Sequence, residues 1–249
     1  MVPFLYFFYE SARGAALGGA VPPDLQATVS HATSLFVIVP TAILGTAAYA
    51  RAGLVVWRAA LPVGLFSLAG GVLGARIALG LPADALKLGF GIFLIATAAQ
   101  LIRSTRGGEG HPLRLALPIT VPTGIVVGVF SAILGVGGGL VAIPLLMHVI
   151  GVDIRRVAAT SLAIIVMAAT AGTLTYMVTG SGVSGLPASS VGYVHVAAGV
   201  PLMIGSLFTV RLGAIANQRM KTPTLRRVFA AVLAALGLRL ILQAAGALW

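Results

Sequence analysis

Four glycines fall within five positions of the stretch SAILGVGGGLVAIPLL (131–146): Gly135, Gly137, Gly138 and Gly139, with Pro144 close behind. Backbone N–H groups freed at such a turn can hold an anion. The setting is either a phosphate cradle opening a soluble helix or a helix broken inside a membrane. Two hydroxyl pairs, Thr33–Ser34 and Thr160–Ser161, occur in two copies of the tetrapeptide Ala-Thr-Ser-Leu and could donate hydrogen bonds to an anion. The competing use of such hydroxyls is to bond their own helix backbone or a neighbouring helix. Arg76 and Arg211 each end an apolar run, where a guanidinium either snorkels to the headgroups or draws anions into a vestibule. His195, inside VGYVHVAAGVP, is the histidine best placed for a ligand, against the commoner role of a packed, hydrogen-bonded residue.

Context selects between the two glycine chemistries. The phosphate fingerprint G-x-G-x-x-G fails at Leu140, and no Lys follows to complete G-x-x-x-x-G-K-[ST]. The surroundings are apolar throughout: 59% of residues are hydrophobic, 8% are charged, and the mean hydropathy is +1.06. A soluble domain carries about 25% charged residues. Residues 25–50, 115–152 and 157–210 contain no Asp, Glu, Lys or Arg, and a bilayer crossing needs roughly 20 apolar residues. The class is therefore an all-α polytopic membrane protein; a barrel would alternate rather than run continuously apolar. The lipid bilayer is its first partner. With short basic loops between spans, the net charge of +11 reads as topology-setting charge and not as a nucleic-acid surface. The chain has no cysteine, so disulfides and thiolate metal sites are excluded. No cofactor or metal is assigned.

The elements that must position these residues form a repeat. ATSLFVIVPTAILGTAAY (32–49) and ATSLAIIVMAATAGTLTY (159–176) align without a gap at an offset of 127, with ten of 18 positions identical, including Gly45/Gly172, Thr46/Thr173 and Tyr49/Tyr176. The expected organisation is a single transmembrane domain: a first repeat over 1–103, an inter-repeat loop at 104–114 and a second repeat over 115–249. Pro144 aligns with Pro3, so the first repeat's matching glycine cluster would fall upstream of Met1. The reading expects that repeat to be truncated at its N-terminus. Spans are expected at 26–49, 54–79, 84–103, 157–179, 189–211 and 224–246, with a remnant at 1–9. Segment 115–150 is too long for one crossing and too short for two, reaching about 54 Å at 1.5 Å per residue against a core of about 30 Å. A single crossing divides the 16 Lys and Arg residues 10 to 6. A segment that dips in and returns divides them 12 to 4 and leaves the uncharged loop 180–188 outside. The second threading is better polarised and makes the repeats inverted.

The stretch GVGGGLVAIPLL, the following GVDIRRVAATSLAI and the duplicated ATSL resemble the sulfite exporter TauE/SafE family of permeases. The motif is complete only in the second half; the first lacks the glycines and carries about 14 extra residues around ESARGAALGGAVPP. The resemblance implies a permease in the cytoplasmic membrane for sulfite, sulfonates and related small organosulfur anions. The five acids, Glu10, Asp24, Asp84, Glu109 and Asp153, all sit at apparent loops or span ends. No carboxylate pair or base-activated nucleophile suggests an enzyme. Two alternatives stay open, an uncoupled anion channel and a non-transporting membrane scaffold, as does homo-oligomer formation.

Overall fold

Each apolar run folds as a helix because, in hydrocarbon, only intrasegment hydrogen bonds satisfy the backbone. The computed structural model describes residues 1–10, 21–103, 113–219 and 222–246. In chain order the elements are α1 (Val2–Glu10), α2 (Pro23–Arg51), α3 (Trp57–Leu79), α4 (Ala83–Arg103), α5 (Leu117–Leu134), α6 (Gly139–Leu145), a π-helical turn (Leu146–Ile150), α7 (Ile154–Thr179), strands β1 (Ser190–Val191) and β2 (Val194–His195), α8 (Val196–Arg219) and α9 (Thr222–Gly246). Among the described residues, α2, α3, α5 and the Arg155–Thr179 part of α7 are long and apolar enough to cross a membrane. Most of the 104–114 connection lies outside the described residues, as do residues 11–20 of the N-terminal insertion.

One expected span starts later than its composition suggests. The run 189–211 becomes helical only at Val196. Before it, β1 and β2 pair Ser190 with His195 and Val191 with Val194, turning at Gly192 with φ +55°. The Tyr193 amide donates to Tyr176 O at 3.2 Å, so this small hairpin is pinned to the end of α7.

Segment 115–150 doubles back. Helix α5, 18 residues long, rises about 27 Å. The chain reverses over Gly135–Gly138, and α6 with the π-turn returns it. The Arg114 amide donates to Ile150 O at 2.8 Å, so the two ends of the excursion meet. Pro144 stands just before the π-turn; a proline cannot donate to the preceding turn, and a widened helix is a common response.

Glycine seams hold the helices close. Helices α3 and α5 run parallel, with Gly70 and Gly74 against Ile125 and Val129; a Cβ at Gly74 would lie 2.7 Å from Val129 Cα. Small residues are the standard means of close approach in membranes, where burial against lipid gives helices little reason to associate. Helices α4 and α9 meet glycine on glycine, Gly91 facing Gly237. Helices α2 and α7 cross antiparallel: Leu35 packs on Gly172 and Leu162 on Gly45, where added Cβ atoms would lie 3.0 and 3.3 Å from the leucine methyls. The main buried cluster, including Leu35, Ala42, Ala132, Ile165 and Tyr176, surrounds this crossing.

The crossing fixes which loops share an end of the bundle. Arg156 donates to Gly53 O at 3.1 Å and to Leu54 O at 3.4 Å, joining the end of α2 to the start of α7. The opposite end holds Pro22 and the loop after α7, where a Cβ at Gly185 would lie 3.1 Å from Pro22 Cγ. Arg51→Cys and Arg114→Cys should therefore react with an impermeant thiol reagent from one side of sealed vesicles and Ser184→Cys from the other. Labelling of all three from the same side would refute this threading.

Candidate functional site

The reversal at Gly135–Gly138 depends on backbone conformations that side chains disfavour. Gly135, Gly137 and Gly138 have φ of +62°, +75° and +74°. Space is equally restrictive: a Cβ at Gly135 would lie 2.7 Å from His31 Cα, and one at Gly138 would lie 2.9 Å from Val127 O. Gly137 and the first residue of α6, Gly139, both press against Ile165, which a Cβ at either would approach to 2.9 Å. The tip of the broken helix is thus seated between α2 and α7.

Ser34 fastens it there. Its hydroxyl donates to Gly135 O at 2.7 Å in a fully buried setting. Beside this bond lies a cavity of about 300 Å³. It is lined by Ser34, Ile38, Thr41 and Ala42 of α2, Phe90 of α4, Gly135 and Val136 of the turn, Leu162 and Ile165 of α7, and Met1 and Val2. None of its lining side chains carries a charge. Thr41 shares a 2.8 Å hydrogen bond with Ser206 of α8 and donates to Val37 O at 2.9 Å.

The other hydroxyls named from the sequence stand outside this cavity. Thr33 is buried and accepts the His195 amide at 3.0 Å. Thr160 accepts the Val56 amide at 3.1 Å and donates to Arg156 O at 2.8 Å. Ser161 donates to Ala158 O at 2.9 Å. Pro144 belongs to the return limb of the hairpin and does not line the cavity. His195 is 2% exposed, accepts or donates at Nδ1 to Tyr9 Oη at 3.1 Å, and lines a separate apolar cavity of about 470 Å³ between α1 and α8. Arg76 lies exposed in the last turn of α3. Arg211 falls on α8, its side chain outside the described set.

Several contributors carried no motif. Phe90 and Thr41 enter the cavity through packing between elements distant in sequence. Tyr6, whose hydroxyl lies 2.9 Å from His31 Nε2, ties α1 to α2. Tyr176 donates to Ala132 O at 3.1 Å, bracing α7 against α5. Leu162, Ile165 and Tyr176 carried a signal in the sequence, as identical positions of the repeat opposite Leu35, Ile38 and Tyr49.

Apolar membrane-length helices packed around a glycine-broken hairpin, with a small cavity of uncharged side chains at its tip, define a multi-pass membrane permease. The chain belongs to the sulfite exporter TauE/SafE family, whose model matches residues 1–240. A "Probable membrane transporter protein" of Methanocaldococcus jannaschii is 27% identical over 211 residues, 84% of this chain and 78% of the relative. YunE of Bacillus subtilis, bearing the same description, is 27% identical over 238 residues, 88% and 83% of the two chains. A third, from Haemophilus influenzae, is 26% identical over 227 residues, 90% and 84%. No solved structure matches the chain.

Ser34→Ala removes the only side-chain donor to Gly135 O among the described residues and should lower stability by about 1–3 kcal/mol, the usual cost of orphaning a buried carbonyl. Thermal unfolding in detergent would register this as a lower midpoint; an unchanged midpoint would deny the bond its role.

Proposed function

We propose that this permease moves small anions across the cytoplasmic membrane, with sulfite, sulfonates and related organosulfur compounds as its substrate class. The observation that carries the reading is the 300 Å³ cavity at the tip of the broken helix, walled by α2 and α7, the two helices that contain the Ala-Thr-Ser-Leu copies. A reversing backbone aims N–H dipoles at its concave side, a means of holding an anion without a full charge. No carboxylate stands among the lining side chains to repel an anion. Arg76, exposed in the last turn of α3, and Arg211, which falls on α8, are the charges assigned to attract substrate.

The architecture proposed for this activity is two inverted repeats. Its support is reciprocal: Leu35 meets Gly172 as Leu162 meets Gly45, and both pairs are related by the offset of 127. Equivalent helices crossing antiparallel is the relation a two-fold axis in the membrane plane produces, and binding at such a midplane crossing recurs among transporters. The sulfite specificity rests on the family likeness.

Uptake or efflux of labelled sulfite and of small sulfonates in proteoliposomes tests the proposal, and absence of flux for every anion tried would sink it. Gly138→Leu should abolish flux by forbidding the turn. Ala42→Phe, which fills the cavity while leaving the glycines intact, should reduce flux at least tenfold in protein of normal thermal stability. Undiminished flux in Ala42→Phe would separate the cavity from the pathway.

A further inference from the structure

Two threonines at equivalent repeat positions each hold the start of a helix belonging to the other half. Thr160 of α7 accepts the amide of Val56, the residue directly before α3. Thr33 of α2 accepts the amide of His195, the residue directly before α8. Thr33 and Thr160 are separated by the repeat offset of 127, and α3 and α8 are the helices that follow α2 and α7. A helix start leaves its first N–H groups without intrahelical partners, and the threonines accept from these two amides, in a buried setting at His195 and a part-buried one at Val56.

The positions of the two bonds bracket the cavity. Because Leu35 lies level with Gly172 and Gly45 with Leu162, Thr160 sits level with residue 47 of α2, about 14 residues or roughly 21 Å along the axis from Thr33. The cavity residues Ser34, Ile38, Thr41 and Ala42 of α2 fall between those levels. Each bond also has its own reinforcement. At the Thr160 end, Arg156 grips Gly53 O and Leu54 O, just before Val56. At the Thr33 end, the Tyr9 hydroxyl holds the ring of His195.

We propose that Thr33–His195 and Thr160–Val56 are the two gate latches of the permease, one at each end of the cavity, and that exchange between access states breaks one while keeping the other. With both closed, each end of the α2–α7 crossing is fastened to the start of a helix of the other half. The inference rests on the permease reading but not on the identity of the cargo.

The cysteine-free chain permits a direct test. Ala42→Cys places a lone thiol in the cavity wall, and its reaction with an impermeant methanethiosulfonate is followed from each side of oriented vesicles. Thr160→Val should raise the rate about tenfold from the Arg156 side only, and Thr33→Val about tenfold from the opposite side only, the change expected from one ordinary hydrogen bond. Thr160→Ser and Thr33→Ser, which keep the acceptor, should label at the parent rate. Val56→Pro removes the donor in place of the acceptor and should reproduce Thr160→Val, which covers the case in which that variant does not fold. Unchanged rates, or equal increases from both sides, would overturn the latch assignment. Side-specific changes in a protein that moves no sulfite or sulfonate would uphold the latches and reject the proposed cargo; intact flux with unmoved labelling would do the reverse.

Discussion

A bilayer interior offers a backbone no water, so a helix can break there only where other protein surrounds the break. The turn at Gly135–Gly138 meets this condition through α2 and α7. His31 and Ser34 supply a close wall and a hydrogen-bond donor, while Ile38 and Ile165 leave no room for side chains on the turn. The rest of the hairpin follows from keeping that tip in place. Helix α5 is carried to it along a glycine seam with α3, and the return limb adjusts its pitch at Pro144 through the π-turn. The ends then meet again at Arg114 and Ile150. The cavity lies beside this four-residue turn, with Gly135 and Val136 in its wall.

The helices that hold the break also hold each other, and they do so reciprocally. Leucine from each presses on glycine of the other, and threonine from each accepts an amide that precedes a helix of the opposite half. Such an interface has two similar ends. A small rotation about its middle would strain one end and relieve the other, which is the mechanical property a two-sided pathway needs. These contacts support the inverted-repeat proposal more specifically than sequence likeness does, since the alignment predicts nothing about which residues touch.

Much of the fold was legible because the bilayer imposes length and apolarity on every crossing. The helix over Pro23–Arg51 and that over Trp57–Leu79 lie within a few residues of the expected spans 26–49 and 54–79. The start of α8 was missed because Val191, Val194 and Val196 read equally well as strand or helix; Gly192 was the sole punctuation. The site was only half legible. Glycines at the turn announce themselves by composition, and Ser34 by its place in the repeated tetrapeptide. Its neighbour Thr33 carries the same signal yet turns to the His195 amide, because adjacent helix positions face about 100° apart. Phe90 reaches the cavity across a long sequence separation, which no periodicity in a uniformly apolar chain records.

The central claim is that the antiparallel crossing of α2 and α7 frames the transport pathway. Oxidative cross-linking in the cysteine-free chain tests it most directly, using Leu35→Cys with Gly172→Cys, and separately Gly45→Cys with Leu162→Cys. Both pairs should form disulfides, with anion flux lost on oxidation and restored on reduction. Failure of both to link, efficient linking of positions 35 and 162 in their place, or full flux in the linked protein would contradict the account.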